Sequence, residues 1–287
     1  MVISVRIKSE RKGSNPGGYC TVFSPGKGRF TAYIKYCANS RLPPDHPFKA
    51  PHQPVYEAVT LMLADKLGLH VPRYYLLDNA DDVSFEHHDD VPRGRRISED
   101  MPFYLVSKLV NLRTNFESPD LLEMMAKQKI YRDMLMVGDV SGKKQNFGLV
   151  EEPHPHVLYI DLGCSFADAA QNMMSQRNSV ASLTRVRNGA PRRTLRKDLR
   201  KARKYLSNLG LVTAHDIEYH QDLLSLVDFA DSLDEMEIPA LRRRKIPLTS
   251  ILCETEINEI KSLLILNMQK VIRRYKKAGP LECLVEL

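Results

Sequence analysis

Apolar and polar residues alternate along VISVRI, YCTVF and RFTAYIKYC, the first three apolar stretches of the chain. A period of two is that of strands with one face buried. The turns between them, Asn15–Gly18 (NPGG) and Pro25–Gly28 (PGKG), carry the Gly and Pro that antiparallel connections need. A proline-laden loop, RLPPDHPFKAPHQP, then gives way to VYEAVTLMLADKLG, whose period is helical. Val55, Val59, Met62 and Leu63 fall on one face, Pro54 suits a first turn, Gly68 closes the helix and Pro72 prevents its continuation. RYYLLD and PFYLVSKLV predict two more strands, separated by a polar loop from Asn79 to Asp100.

Beyond Ser118 the helical period dominates. Ser118 caps a helix opened by Pro119 and running through LLEMMAKQKIYRDMLMV. Two short strands, ending FGLV and beginning VLYID, follow it and are joined by EEPHPH. Thr213 and Asp216 form a capping pair before IEYHQDLLSLVDFADSL, and ETEINEIKSLLILNMQKVIRRYKK stops at Gly279-Pro280. Strands first and helices afterwards predict an α+β chain of two lobes, a mainly β lobe over 1–110 and a mainly α lobe over 111–287.

Composition narrows the class. The 287 residues are 43% apolar with a mean hydropathy of -0.33, as in ordinary globular proteins. The longest apolar run, SLLILNM, is too short to span a bilayer, so no membrane role is expected. Arg6 and Lys8 interrupt the start where a signal peptide needs an apolar core, and the expected location is cytoplasmic. Cys20, Cys37, Cys164, Cys253 and Cys283 are scattered and odd in number, which argues for free thiols. The net charge of +7 is concentrated in one place. Ten Lys and Arg lie between Arg185 and Lys204 against a single acid, Asp198, and without them the chain is slightly acidic. Read as a helix after Pro191, this segment puts Leu195, Leu199, Ala202 and Leu206 on one face and cations around the rest. It is either a solvated outer face or a surface for a phosphate-rich partner such as tRNA or other nucleic acid.

A few polar residues stand where polarity is costly. Lys35 sits in an apolar strand between Ile34 and Tyr36, and a lysine buried there needs a partner. Glu57 on the next helix is a candidate; the alternative is an exposed strand face and a solvated glutamate. Asp161 ends the apolar strand VLYID just before Gly163, a place for a hard-metal ligand or for an ordinary Asp-x-Gly turn. Asn146, in NFG, has the same two readings. His87, His88, Asp89 and Asp90 form a polar run best read as solvated charge. The sequence has no G-x-S-x-G, H-E-x-x-H or GxxxxGK[ST].

In order and spacing, four passages resemble the HipA-like protein kinases, and more remotely the phosphatidylinositol 3-/4-kinases. GSNPGGYCTVF with FTAYIKY is similar to the phosphate loop and the strand bearing the ATP lysine. The resemblance implies that Ser14, Gly17 and Gly18 border the phosphates and that Lys35 contacts them. HQPVYEAVTLMLADKLGLHVP resembles the lysine-partner helix, making Glu57 the glutamate. MPFYLVSKLV resembles the hinge strand, placing Val106 beside the nucleotide. GDVSGKKQNFGLV and YIDLGCSF resemble the catalytic loop and the metal-binding DxG, so that Asn146 and Asp161 would hold Mg2+.

The proton acceptor has two readings. Counted back five from Asn146, the acid's place is taken by Ser141, with Lys143 as the lysine that steadies the transferred phosphate; a serine there makes a weak or dead kinase. Matched on VGD instead, the loop has gained two residues and Asp139 is the base. The resemblance implies an ATP- and Mg2+-dependent serine/threonine protein kinase. It further implies a growth-arresting toxin that acts on a translation component and has an antitoxin partner. The alternative is a nucleotide-binding pseudokinase that engages a partner through Arg185–Lys204. Whether Ser14 is autophosphorylated stays open.

Overall fold

Ile3, Val5 and Ile7 alternate with Ser4, Arg6 and Lys8, and in the computed structural model this stretch is strand β1 (Ile3–Glu10), its three apolar side chains buried. The structure describes residues 2–10, 17–37, 45–66, 68–78, 83–88, 98, 100–113, 147–151, 153–160, 162, 228–242 and 245–264. The helix expected after Ser118 and the basic segment Arg185–Lys204 lie outside them. The chain is α+β, as its pattern predicts.

Strands β2 (Gly17–Ser24) and β3 (Gly28–Lys35) continue the sheet. Between them Gly26 and Gly28 adopt positive φ, 87° and 73°, and Lys27 N–H donates to Ser24 O over 3.1 Å. This is the tight turn that PGKG predicts. Of NPGG, Gly17 and Gly18 belong to β2 and pair with Lys35 and Ile34. With β4 (Tyr74–Asp78), β5 (Val83–His87) and β6 (Phe103–Lys108), these strands make a six-stranded sheet ordered β4-β6-β3-β2-β1-β5. All its pairings are antiparallel except β1–β5. Strand β5 lies within the stretch read as a loop. Its Val83 and Phe85 do alternate with polar residues, but the run is five residues long and its partner is distant in sequence.

One sheet face is the main core: Ile3, Val5, Ile7, Cys20, Val22, Ala32, Ile34, Leu77, Tyr104 and Val106, joined by Leu241. On the other face, Lys35, Leu76 and Leu105 are buried.

Helix α1 (Gln53–Lys66) follows a 3-10 turn at Ala50–His52. Val55, Val59 and Leu63 are buried as expected, but so are Tyr56, Glu57, Ala58, Thr60, Leu61 and Ala64, while Met62 is only half-buried. The helix is covered on most sides, so a single apolar stripe understates it. Its end is a Schellman motif. Gly68 adopts φ 73°, its N–H donates to Asp65 O over 3.0 Å, and Leu69 N–H donates to Ala64 O over 2.9 Å.

The chain divides into two compact units, each discontinuous in sequence. The first comprises Met1–Val59, Pro72–Val110 and Leu233–Asn258; the second comprises Thr60–Val71, Asn111–Ser232 and Glu259–Leu287. The late segment in the first unit holds a two-stranded hairpin, β9 (Glu237–Pro239) with β10 (Lys245–Pro247), where the sequence suggests only helices. Leu241 N–H donates to Leu76 O over 3.1 Å, so this segment lines the β4 edge of the sheet. Helix α2 (254–264) is the described start of the expected last helix.

In the second unit, β7 (Phe147–Val150) and β8 (His156–Tyr159) pair antiparallel across the EEPHPH turn, as predicted. Arg113 exchanges backbone hydrogen bonds with Leu149 at 3.0 and 2.9 Å, and Tyr159 N–H donates to His70 O over 2.9 Å. The incoming chain crosses Gly148 closely: a Cβ there would stand 2.9 Å from Leu112 Cβ and 3.2 Å from Arg113 O.

Candidate functional site

Lys35 is the last residue of β3, and its ammonium pairs with Glu57 of α1. Their side chains are 6% and 1% exposed. The solvated-surface reading of these residues is therefore excluded. Burying two charges costs several kcal/mol per ion, and mutual attraction offsets this only when geometry is good. An apolar pair of similar volume generally stabilises a fold as well or better, so the retained ion pair has an explanation to find beyond stability.

The backbone around Lys35 is unusual as well. Gly17 is its direct partner across β2–β3, and a Cβ on Gly17 would collide with the carbonyl oxygen of Ile34. The glycine is fixed by close approach of main chain, and it leaves the strand beside Lys35 bare of side chain. Gly18 pairs with Ile34 one residue on.

Val106 pairs with Ile34, and its side chain packs into the main core, on the sheet face opposite Lys35. Side chains alternate across a strand, so its neighbours Leu105 and Ser107, the partners of Lys35 and Tyr33, are the residues of β6 on the lysine's face. That face also carries Tyr19 and Tyr33, edge to face with ring centroids 4.9 Å apart, and Phe23. Tyr19 and Phe23 are 43% and 53% exposed, giving an open aromatic stretch of sheet leading away from the lysine.

Of the other predicted residues, Ser14, Asp139, Ser141, Lys143, Asn146 and Asp161 lie outside the described residues. Phe147 and Tyr159 are direct partners at the open end of the β7–β8 hairpin.

The structure adds a polar cluster that the sequence reading missed. Glu256 is fully buried near the start of α2, and its Oε2 accepts the Cys253 N–H over 3.1 Å. Its Oε1 accepts from the Tyr56 hydroxyl and from His52 Nδ1, the latter over 2.7 Å. Lys49 Nζ stands 3.9 Å from Oε2, and Lys49 N–H donates to the Tyr56 oxygen over 2.9 Å. Cys253-Glu-Thr-Glu256 is a capping box with cysteine in the serine's place, which hides its signature.

Burial pushes the Glu256 carboxyl up, but hydrogen bonds from His52, Tyr56 and the Cys253 N–H outweigh it and hold the pKa at about 2 against an ordinary 4.5. Burial and the same hydrogen bond push the Tyr56 phenol up, so it stays a donor. A depressed folded-state pKa means that the unfolded chain takes the proton first. The stabilisation is thus present above about pH 4.5 and is lost as pH falls toward about 2. Urea midpoints should drop across that window in the natural chain and much less in Glu256→Gln; parallel curves would contradict the assignment.

Among the described residues the other reactive types are quiet. Cys20, Cys37 and Cys253 are free thiols, and burial pushes Cys20 up to about 12, far from a working nucleophile. His70 and His156 stack with centroids 4.4 Å apart, and burial followed by the neighbouring imidazole pushes His70 down. Among the described residues no group of three or more His, Cys, Asp or Glu could hold a metal ion, and no helix is long and apolar enough to cross a membrane.

No protein-family model matches the sequence, and no curated protein matches it. Among solved structures, the chain is similar to CtkA, described as a Helicobacter pylori proinflammatory kinase, at 12% identity and a TM-score of 0.45. That alignment covers 97% of this chain and 95% of the other. Nothing in these comparisons singles out the HipA-like group.

Proposed function

We propose that the chain is an ATP- and Mg2+-dependent phosphotransferase acting on a Ser or Thr hydroxyl of a protein. One observation carries this reading: a buried lysine–glutamate pair, Lys35 with Glu57, faces a glycine, Gly17, that has no room for a side chain. Phosphoryl transfer asks for little covalent help and much electrostatic positioning. A rigid ammonium beside bare backbone suits phosphate oxygens, so the residues present fit a nucleotide triphosphate. Bound Mg-ATP would supply the phosphoryl group and neutralise the charge that develops during transfer.

The remaining roles belong to the chain. Glu57 holds Lys35 in place. Lys35 binds phosphate oxygens, with Ser14, Gly17 and Gly18 at the phosphate-loop positions. Asn146 and Asp161 offer oxygen ligands for the metal. Lys143 steadies the transferred group, and Asp139 orients the attacking hydroxyl and takes its proton. The resemblance to HipA-like kinases suggests a cytoplasmic toxin with a translation-related substrate and an antitoxin partner.

The test is calorimetric titration with Mg-ATP, beside transfer from labelled ATP to the protein itself and to cell extract. Asp161→Asn and the double variant Lys35→Met/Glu57→Leu should each weaken Mg-ATP binding about tenfold or more, the loss of one charged contact. Unchanged affinity in both would sink the site.

A second reading, a pseudokinase that binds a partner, is favoured by Ser141 at the acid's counted position and by the ten cations of Arg185–Lys204. If those cations meet nucleic acid, binding should weaken steeply with salt, because each neutralised phosphate releases a counterion. Reversing Arg196, Arg200 and Arg203 to Glu should then abolish RNA or DNA binding and leave ATP affinity unchanged. Salt-insensitive binding, or none at low ionic strength, returns the segment to a solvated face.

A further inference from the structure

The first turn of α1 is held at two angles. Tyr56 and Glu57 are consecutive, so they point about 100° apart around the helix axis. Glu57 meets Lys35 of β3, whereas Tyr56 meets Glu256, which follows it by 200 residues. His52, one turn before Tyr56, reaches the same Glu256 oxygen. Among the other buried residues of this half of the helix, Val55, Ala58 and Val59 are apolar and Gln53 is polar. Apolar burial is non-directional and tolerates a modest rotation, but hydrogen bonds to a fixed oxygen do not.

We infer that Glu256 is a positioning residue: by gripping Tyr56 and His52 it sets the rotation of α1 that delivers Glu57 to Lys35. Glu256 is itself fixed, because its second oxygen caps its own helix at the Cys253 N–H. If α1 turned so that Glu57 left Lys35, Tyr56 would leave Glu256 as well, and a fully buried carboxylate would lose a donor. The two contacts therefore stand or fall together.

The consequence for nucleotide binding rests on the phosphotransferase reading; the coupling between Glu256 and Lys35 does not. The experiment separates them by using the full chain without nucleotide. Lysines are acylated briefly with acetic anhydride and quantified by mass spectrometry, with exposed Lys108 as the internal reference. Lys35, 5% exposed, should be strongly protected in the natural chain. Glu57→Gln sets the level reached when the pair is broken. Tyr56→Phe keeps the ring and removes one hydroxyl, and Glu256→Gln removes the charge. Each should raise Lys35 labelling about tenfold relative to Lys108, the factor carried by one hydrogen bond to a charged group.

Should Glu256→Gln fail to fold, Tyr56→Phe decides alone. Protection of Lys35 unchanged in a folded variant, or labelling of Lys35 and Lys108 rising together, overturns the inference and leaves Glu256 with a purely structural role. A parallel Mg-ATP titration of the same variants should show affinity falling about as much as labelling rises. Absence of Mg-ATP binding in the natural chain would defeat the phosphotransferase reading, while the labelling would still decide the role of Glu256.

Discussion

Lys35→Met should lower the stability of the fold by about 3–5 kcal/mol, because it removes the ammonium that faces the buried Glu57 charge. Adding Glu57→Leu should recover most of that loss, to within about 1 kcal/mol of the natural chain, since two apolar side chains need no compensation in the core. Urea unfolding of the three proteins measures both numbers. The double variant matters most: a stable fold that no longer binds Mg-ATP would show that the pair is kept for its charge. Equal stability of Lys35→Met and the natural chain would mean that Glu57 is satisfied elsewhere, and the pair would lose its standing as the organising contact of the site.

The second large effect concerns proton transfer. A carboxylate can orient and deprotonate a hydroxyl near neutral pH, whereas a serine can only hydrogen-bond to it. With Asp139 as the base, Asp139→Asn should cut phosphoryl transfer by about 10²–10⁴-fold with Mg-ATP still bound, and Ser141→Ala should be mild. If the loop register instead passes through Ser141, the natural chain should bind nucleotide but transfer little, and Ser141→Asp should raise the rate. We expect the first pattern, measured on one acceptor with all variants side by side. An active natural chain indifferent to Asp139→Asn would remove Asp139 from the mechanism.

The contrast between what the sequence shows and what it hides has physical causes. Strands β1 to β3 are legible because each is eight residues long and alternates regularly. The Lys35–Glu57 pair is legible because a lysine inside an apolar strand is costly alone. Strands β9 and β10 are three residues each and contain Pro239 and Pro247, too short for any period to register. The face that Val106 takes is not legible in a motif; counting alternation from Lys35 across the β3–β6 register gives it. Glu256 escaped because its capping box begins with a cysteine and its partners, His52 and Tyr56, are some 200 residues away.

That distance also governs timing. The sheet unit that carries Lys35 includes Leu233–Asn258, so it cannot be completed while the ribosome is still adding the residues between. A nascent chain that has exposed β1 to β6 still lacks the segment along the β4 edge and the carboxylate that grips α1. Closing a loop of this length is entropically slow and offers little reward until the final contact is made. Completion of the unit around Lys35 is therefore an event of late synthesis, and a chain cut short near residue 230 would lack the Glu256 contact with α1.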